Sequence, residues 1–296
     1  MSYEIRTDLA SELINNKKRL PYGIEHETLK TSDGFNVERI FVDKRGEKEL
    51  GKPAGTYITI DCGQIAYIDN CFQTKLSALI SEEIKSLAFD ITAKKINSDL
   101  KVLVVGLGNI NMTPDAIGPQ AVSLISATRK LAEEDPQLFE NLECASVSSI
   151  APGTSGQTGI ETYEFVKCAV DHIKPDIVVA IDALAARSSA RLGTTVQISS
   201  SGIHPGSGVG NRRRGLNDSN LGVPVMAIGV PTVVDSSTII KDIISQFGVE
   251  QIVSDMDKLV DAHKSFLVSP SNCDSIVAHS SKILASAIDS AFGINL

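Results

Sequence analysis

The sequence has no tryptophan, and aromatic residues make up only 5% of it, too few for the stacking platforms that bind single-stranded nucleic acid. Positive charge is short as well. Against 36 Asp and Glu stand 28 Lys and Arg, and the formal net charge of -8 repels a polyanion. No direct nucleic-acid partner is expected. The five cysteines are odd in number, widely spaced and free of any C-x-x-C pair, which excludes a disulfide scaffold and reads as reduced thiols in a cytoplasmic protein. No stretch reaches the roughly 18 apolar residues of a membrane span, and residues 1–20 mix both charges without the apolar segment of an export signal. The common hydrolase signatures are missing too. Ser155 has Gln157 where the second glycine of a nucleophile elbow is required, and His26-Glu27 is not followed by the second histidine of a zinc-peptidase helix, because position 30 is Lys30.

What remains is an ordinary globular composition, 42% apolar and 22% charged, and its 296 residues suffice for one large domain or two modest ones at roughly 100–200 residues each. Residues 1–54 are charge-rich and weakly patterned, and they read as a loosely attached N-terminal arm. A single α/β domain is expected over 55–296. Its strands are expected at 56–60, 102–105, 145–150, 177–181, 194–199 and 223–228. Helices are expected at 74–91, 120–134, 160–173, 236–247, 253–266 and 273–291. The helix over 160–173 should stop at Lys174, since Pro175 disfavours helical geometry in the residue before it. Apolar runs alternating with amphipathic helices imply a mostly parallel central sheet with helices on both faces, followed by C-terminal helices.

Ligands of such sheets bind beyond the carboxyl ends of the strands, so the segments following strands carry the candidates. The loop over 106–119 places Asp115 after the strand at 102–105. Its Gly106-Leu-Gly108 lacks the third glycine of a dinucleotide fingerprint, where Asn111 stands, and it has no Gly-Lys-Ser/Thr of a phosphate loop. Asp182 follows the strand at 177–181. Each aspartate alone is as well explained by a turn or a helix cap. Both fall on one sheet edge, however, and two neighbouring carboxylates share a proton at neutral pH and activate a water. The segment 201–215 is dense in glycine, including Gly206 and Gly208, and runs into Arg212, Arg213 and Arg214. It suits an extended peptide with acidic side chains, or else a solvated surface loop. His204 beside it is a candidate metal ligand or base, or a structural histidine.

These segments resemble the germination proteases of spore-forming bacteria. The resemblance runs through Arg6-Thr-Asp-Leu-Ala10, Leu103-Val-Val-Gly-Leu-Gly-Asn109, Thr113-Pro-Asp-Ala116, Ile150-Ala-Pro-Gly153 and Gly156-Gln-Thr-Gly-Ile-Glu-Thr162. It continues through Ala180-Ile-Asp-Ala-Leu-Ala-Ala-Arg-Ser188, Gly202-Ile-His-Pro-Gly-Ser-Gly-Val-Gly-Asn211 and Ile228-Gly-Val-Pro-Thr-Val-Val-Asp235. Residues 24–53 match poorly, and the region after 240 is shorter than in the longer relatives.

The resemblance implies a fold similar to hydrogenase-maturation peptidases and an endopeptidase that starts the degradation of small acid-soluble spore proteins. It implies a homotetramer in the cytoplasm of the spore core and an inactive precursor that cuts itself. The family's two essential aspartates fall on Asp115 and Asp182, a mixed Lys/Arg cluster is usual where Arg212–Arg214 stand, and no cofactor is implied; Gly206, Gly208, Arg212, Arg213 and Arg214 are substrate-binding candidates on the loop's own composition. Thr7-Asp-Leu-Ala-Ser-Glu12 is similar to the family's substrate motif, which places self-cleavage between Asp8 and Leu9 and makes 1–8 a short propeptide. A metal-dependent processing peptidase using the same aspartates with His204, and a peptide-binding module without turnover, are the alternatives.

Overall fold

The computed structural model describes residues 7–14, 19–206, 213–246 and 266–294. Among them one mixed sheet of nine strands forms the spine, built from β1 (Ile24–Lys30), β2 (Asn36–Val42), β3 (Gly55–Asp61), β4 (Lys101–Gly106), β5 (Ser146–Ile150), β6 (Ile177–Ala186), β7 (Thr195–Ser199), β8 (Val225–Asp235) and β9 (Leu267–Val268). The order is β1-β2-β3-β7-β8-β6-β4-β5, with β9 on β8.

The expectation of a mostly parallel sheet is corrected. The block β8-β6-β4-β5 is parallel, as alternation of strands and helices requires, but the five other pairings are antiparallel. β1 and β2 are joined by a tight turn closed by Thr31 N–H donating to Phe35 O at 2.8 Å, and so short a link permits only an antiparallel pair. Residues read as a loose arm therefore belong to the sheet. β1 is an edge strand rich in Glu, His and Lys, and edge charge that blocks further pairing also erases the apolar pattern by which a strand is recognised.

Alternation along β4 divides the core. Val102 and Val104 face one side, packed with Leu76, Ile80 and Ile84 of the helix Asn70–Thr92 and with Ile283, Leu284 and Ile288 of the helix Cys273–Ala291. Leu103 and Val105 face the other, against Val166 and Val170 of the helix Thr162–Ile173. That helix ends before Lys174, whose φ of 51° is left-handed, directly ahead of Pro175. The helix expected at 120–134 is two pieces, Ile117–Val122 and Arg129–Glu134. Between them Thr128 diverts the chain onto the β5 side, its Oγ1 donating to Ala145 O at 2.6 Å and accepting from Val147 N at 2.9 Å. The helices at 70–92, 236–246 and 273–291 stand where the periodicity puts them. The helix expected at 253–266 lies, apart from Phe266, outside the described residues.

β6 and β8 outrun their expected ends. Asp182 is consequently inside β6, one residue past the last pairing with β4, Gly106 with Ile181. No helix follows it, so a capping role is excluded.

Candidate active site

Beyond β4 the chain folds back tightly on itself. Gly108 has φ +114°, and a Cβ there would lie 2.0 Å from Asp115 O; one on Gly118 would lie 2.3 Å from Leu107 O and 2.5 Å from Ile181 O. These glycines serve backbone against backbone contact, which seats the start of the helix Ile117–Val122 on the ends of β4 and β6. A 3-10 turn, Thr113–Asp115, is pinned from β8 by Thr232 Oγ1 donating to Pro114 O at 2.6 Å. Asn109 N–H donates to Asp115 Oδ2 at 2.8 Å and fixes the carboxylate.

Asp115 and Asp182 line one cavity of about 390 Å³. Asp182 is 7% exposed and accepts a hydrogen bond from Ala183 N at 2.9 Å. Burial holds its carboxyl well above the usual carboxylate range, and the negative charges of Asp115 and Asp8 push it further in the same direction. Half-buried Asp115 is also raised by burial, against the Asn109 hydrogen bond and the positive charge of Arg213, which pull it down. The two acids are thus unequal. Asp182 keeps a proton more readily, and Asp115 is the partner better placed to be ionised at the same pH.

The third carboxylate at the cavity belongs to the N-terminal segment. Asp8 pairs with β6 twice: its N–H donates to Ala185 O at 2.9 Å, and its Oδ2 accepts from Ala185 N at 2.9 Å. Leu9 is fully buried against Leu184 and Ala186. Glu12, on the short helix Ala10–Ile14, accepts from Arg187 N at 2.7 Å and Ser188 N at 2.8 Å, and its carboxylate also receives the Thr7 hydroxyl. Bonds of this charged kind contribute about 1.5–3 kcal/mol each, so residues 7–14 are firmly seated and not a loose arm. The Asp8 carbonyl accepts from Gln197 Nε2 at 2.9 Å and from Lys52 Nζ at 3.1 Å.

The structure brings Asp8, Asp115, Asp182, His204, Gly206 and Arg213 to the same cavity. It separates the arginines. Arg213 lines the cavity, while Arg214 lies 3.8 Å from the centre of the Tyr163 ring; Gly208 and Arg212 lie outside the described residues. Among the described residues no three His, Cys, Asp or Glu side chains stand together as a metal site. Lys52 and Gln197 were not among the residues singled out from the sequence, and Glu12 stood there only as the end of the substrate-like motif. Gln197 carried one readable signal, a large polar side chain between Val196 and Ile198 in an expected strand, and the structure shows every residue of that strand buried.

A model of the germination protease family matches residues 5–269. The chain belongs to that family, a family of peptidases. Among curated germination proteases, that of Caldanaerobacter subterraneus subsp. tengcongensis is 48% identical over 244 residues, covering 81% of this chain and 72% of the relative. That of Bacillus subtilis is 44% identical over 262 residues, 84% of this chain and 69% of the relative. The germination protease of Clostridium perfringens strain ATCC 13124 is 36% identical over an alignment of 326 positions that spans 99% of this chain and 97% of the relative. No helix among the described residues of this germination-protease family member is long and apolar enough to cross a membrane.

Proposed function

We propose that this protein is an aspartic-type endopeptidase of spore germination in which Asp115 and Asp182 share one proton and activate a water. It is made as an inactive precursor that cuts itself between Asp8 and Leu9. The observation that carries this reading is that Asp8, the residue before the bond, lines the same cavity as both aspartates, with the segment after the bond bound along β6. A substrate-like segment held there also accounts for inactivity before cleavage, because it fills the place a substrate would take.

The ionised carboxylate takes a proton from the attacking water, and the protonated one supplies a proton to the departing amine; positioned acid–base catalysis of this kind contributes typically about 10²–10⁴-fold. Small acid-soluble spore proteins are the proposed substrates, supported by the likeness of Thr7–Glu12 to their cleavage motif and by Arg213 at the cavity. The proposal extends to a homotetramer in the cytoplasm of the spore core and to a parallel-sheet core akin to that of hydrogenase-maturation peptidases. N-terminal sequencing after activation tests the reading. It should return Leu-Ala-Ser-Glu, and a digest of a small acid-soluble spore protein should give fragments cut after an acidic residue. A Met1 or Ser2 terminus on fully active protein would refute the self-processing.

A further inference from the structure

Resting on that endopeptidase reading, we propose that Lys52 and Gln197 form the carbonyl-binding pair of the active site. They hold and polarise the oxygen of the residue preceding the cut bond, where negative charge appears when water adds.

The Gln197 side chain spans the bond. Its Nε2 donates to Asp8 O at 2.9 Å, and its Oε1 accepts from Ala10 N at 2.8 Å, so one planar amide grips the backbone on both sides of Asp8–Leu9. The contact with Ala10 N–H also fixes the amide orientation, because only the oxygen can accept and the amino group is left for the carbonyl. Lys52, half-buried just after the helix Gly46–Leu50 that links β2 to β3, donates from Nζ to the same Asp8 oxygen at 3.1 Å and to Thr7 O at 3.0 Å. The scissile oxygen therefore meets two donors from separate elements, one of them an ammonium. Burial lowers the Lys52 pKa, against the charges of Asp8 and Glu12, which favour the ammonium.

Water oxygen bonds to the Asp8 carbonyl carbon while its proton passes to the ionised carboxylate. The carbonyl electron pair moves onto oxygen, opposite Lys52 Nζ–H and Gln197 Nε2–H. When the oxyanion collapses, the bond to Leu9 nitrogen breaks and the protonated carboxyl gives that nitrogen its proton, leaving on Asp8 a main-chain carboxylic acid, which loses its proton to solvent, and an amine on Leu9. Removing one donor to a developing oxyanion costs about 10²–10³-fold in rate.

The test follows self-cleavage of the full-length chain by intact-mass spectrometry across pH, in wild type, Lys52→Met, Lys52→Arg and Gln197→Glu. Lys52→Met and Gln197→Glu should each slow the first-order rate about 10²–10³-fold, with Lys52→Arg recovering at least about tenfold of the Met loss. Beyond the limb set by ionisation of the protonated carboxyl, which every variant shares, the wild-type rate should show a further alkaline loss as Lys52 deprotonates, absent from the residual rate of Lys52→Met. Cleavage by Lys52→Met and Gln197→Glu at the wild-type rate or faster is the behaviour of a mere latch and overturns the proposal, as does a wild-type alkaline profile of the same shape as that of Lys52→Met. If Lys52→Met does not fold, Gln197→Glu and the wild-type profile decide. Asp115→Asn run alongside separates the two failures: its continued cleavage refutes the aspartate reading, whereas an inert Asp115→Asn beside unimpaired Lys52 and Gln197 variants refutes only the carbonyl pair.

Discussion

Gln197 and Asp182 lie in one row of the sheet with only Gly229 between them, Gln197 pairing with Gly229 across β7–β8 and Gly229 with Asp182 across β8–β6. Residues in one row present their side chains to the same face, and two strand spacings separate them by about 10 Å. The strand between contributes no side chain of its own; Leu184 lies over that glycine, where a Cβ would meet its Cγ at 2.6 Å. Leu184 is also the residue against which Leu9 packs. One sheet face thus carries Asp182, the amide that grips the backbone at Asp8 and Ala10, and the apolar seat of Leu9.

Asp182→Asn should stabilise the fold near neutral pH even as it removes activity. The native carboxyl binds its proton more tightly than the unfolded one, so the favourable contribution is complete below the ordinary carboxylate pKa of about 4 and is lost as pH rises through the raised native value. Asparagine cannot ionise and still accepts from Ala183 N. Melting temperatures of the variant should exceed wild type at pH 7 and converge with it below about pH 4; a variant less stable at pH 7 contradicts the assignment of a buried, proton-holding Asp182.

Gly108→Ala should cost about 1–3 kcal/mol and misplace Asp115, because φ +114° is strained for alanine and its Cβ falls on the Asp115 carbonyl. Chemical denaturation checks the stability and a peptide assay the activity. Full activity at unchanged stability would show that the turn can relax without moving the acid.

Arg213 and Arg214 should behave differently. Arg213 pulls down both Asp115 and Asp182, so Arg213→Ala should move the acid limb of the pH–rate profile upward. Arg214→Ala should leave that limb in place and lose about 0.5–1 kcal/mol from the contact with Tyr163. Equal shifts from both variants would return the pair to a common, non-specific charge effect.

The legibility of this site in the sequence followed residue type. Asp115 and Asp182 stood out because loops after apolar strands are short lists to search, and β4 and β6 have strong apolar runs. Lys52 and Gln197 did not, because their importance lies in pairing with residues distant in the chain. Lys52 sits in a charge-rich stretch that reads as solvated surface, and the edge strand β1 upstream of it carries charge instead of a pattern. Asp182 was placed at a strand end on the sequence; in the fold β6 continues past it to Ala186, because β8 and residues 8–12 go on pairing after β4 has stopped.

The most direct test of the account is the N-terminal mass of full-length Asp115→Asn and Asp182→Asn after incubation under conditions that activate wild type. Each variant should keep its intact terminus, retain a native circular-dichroism spectrum and leave a peptide spanning residues 3–16 uncut. A folded variant of either kind that yields a Leu9 terminus at a rate near wild type would contradict the shared role of the two aspartates.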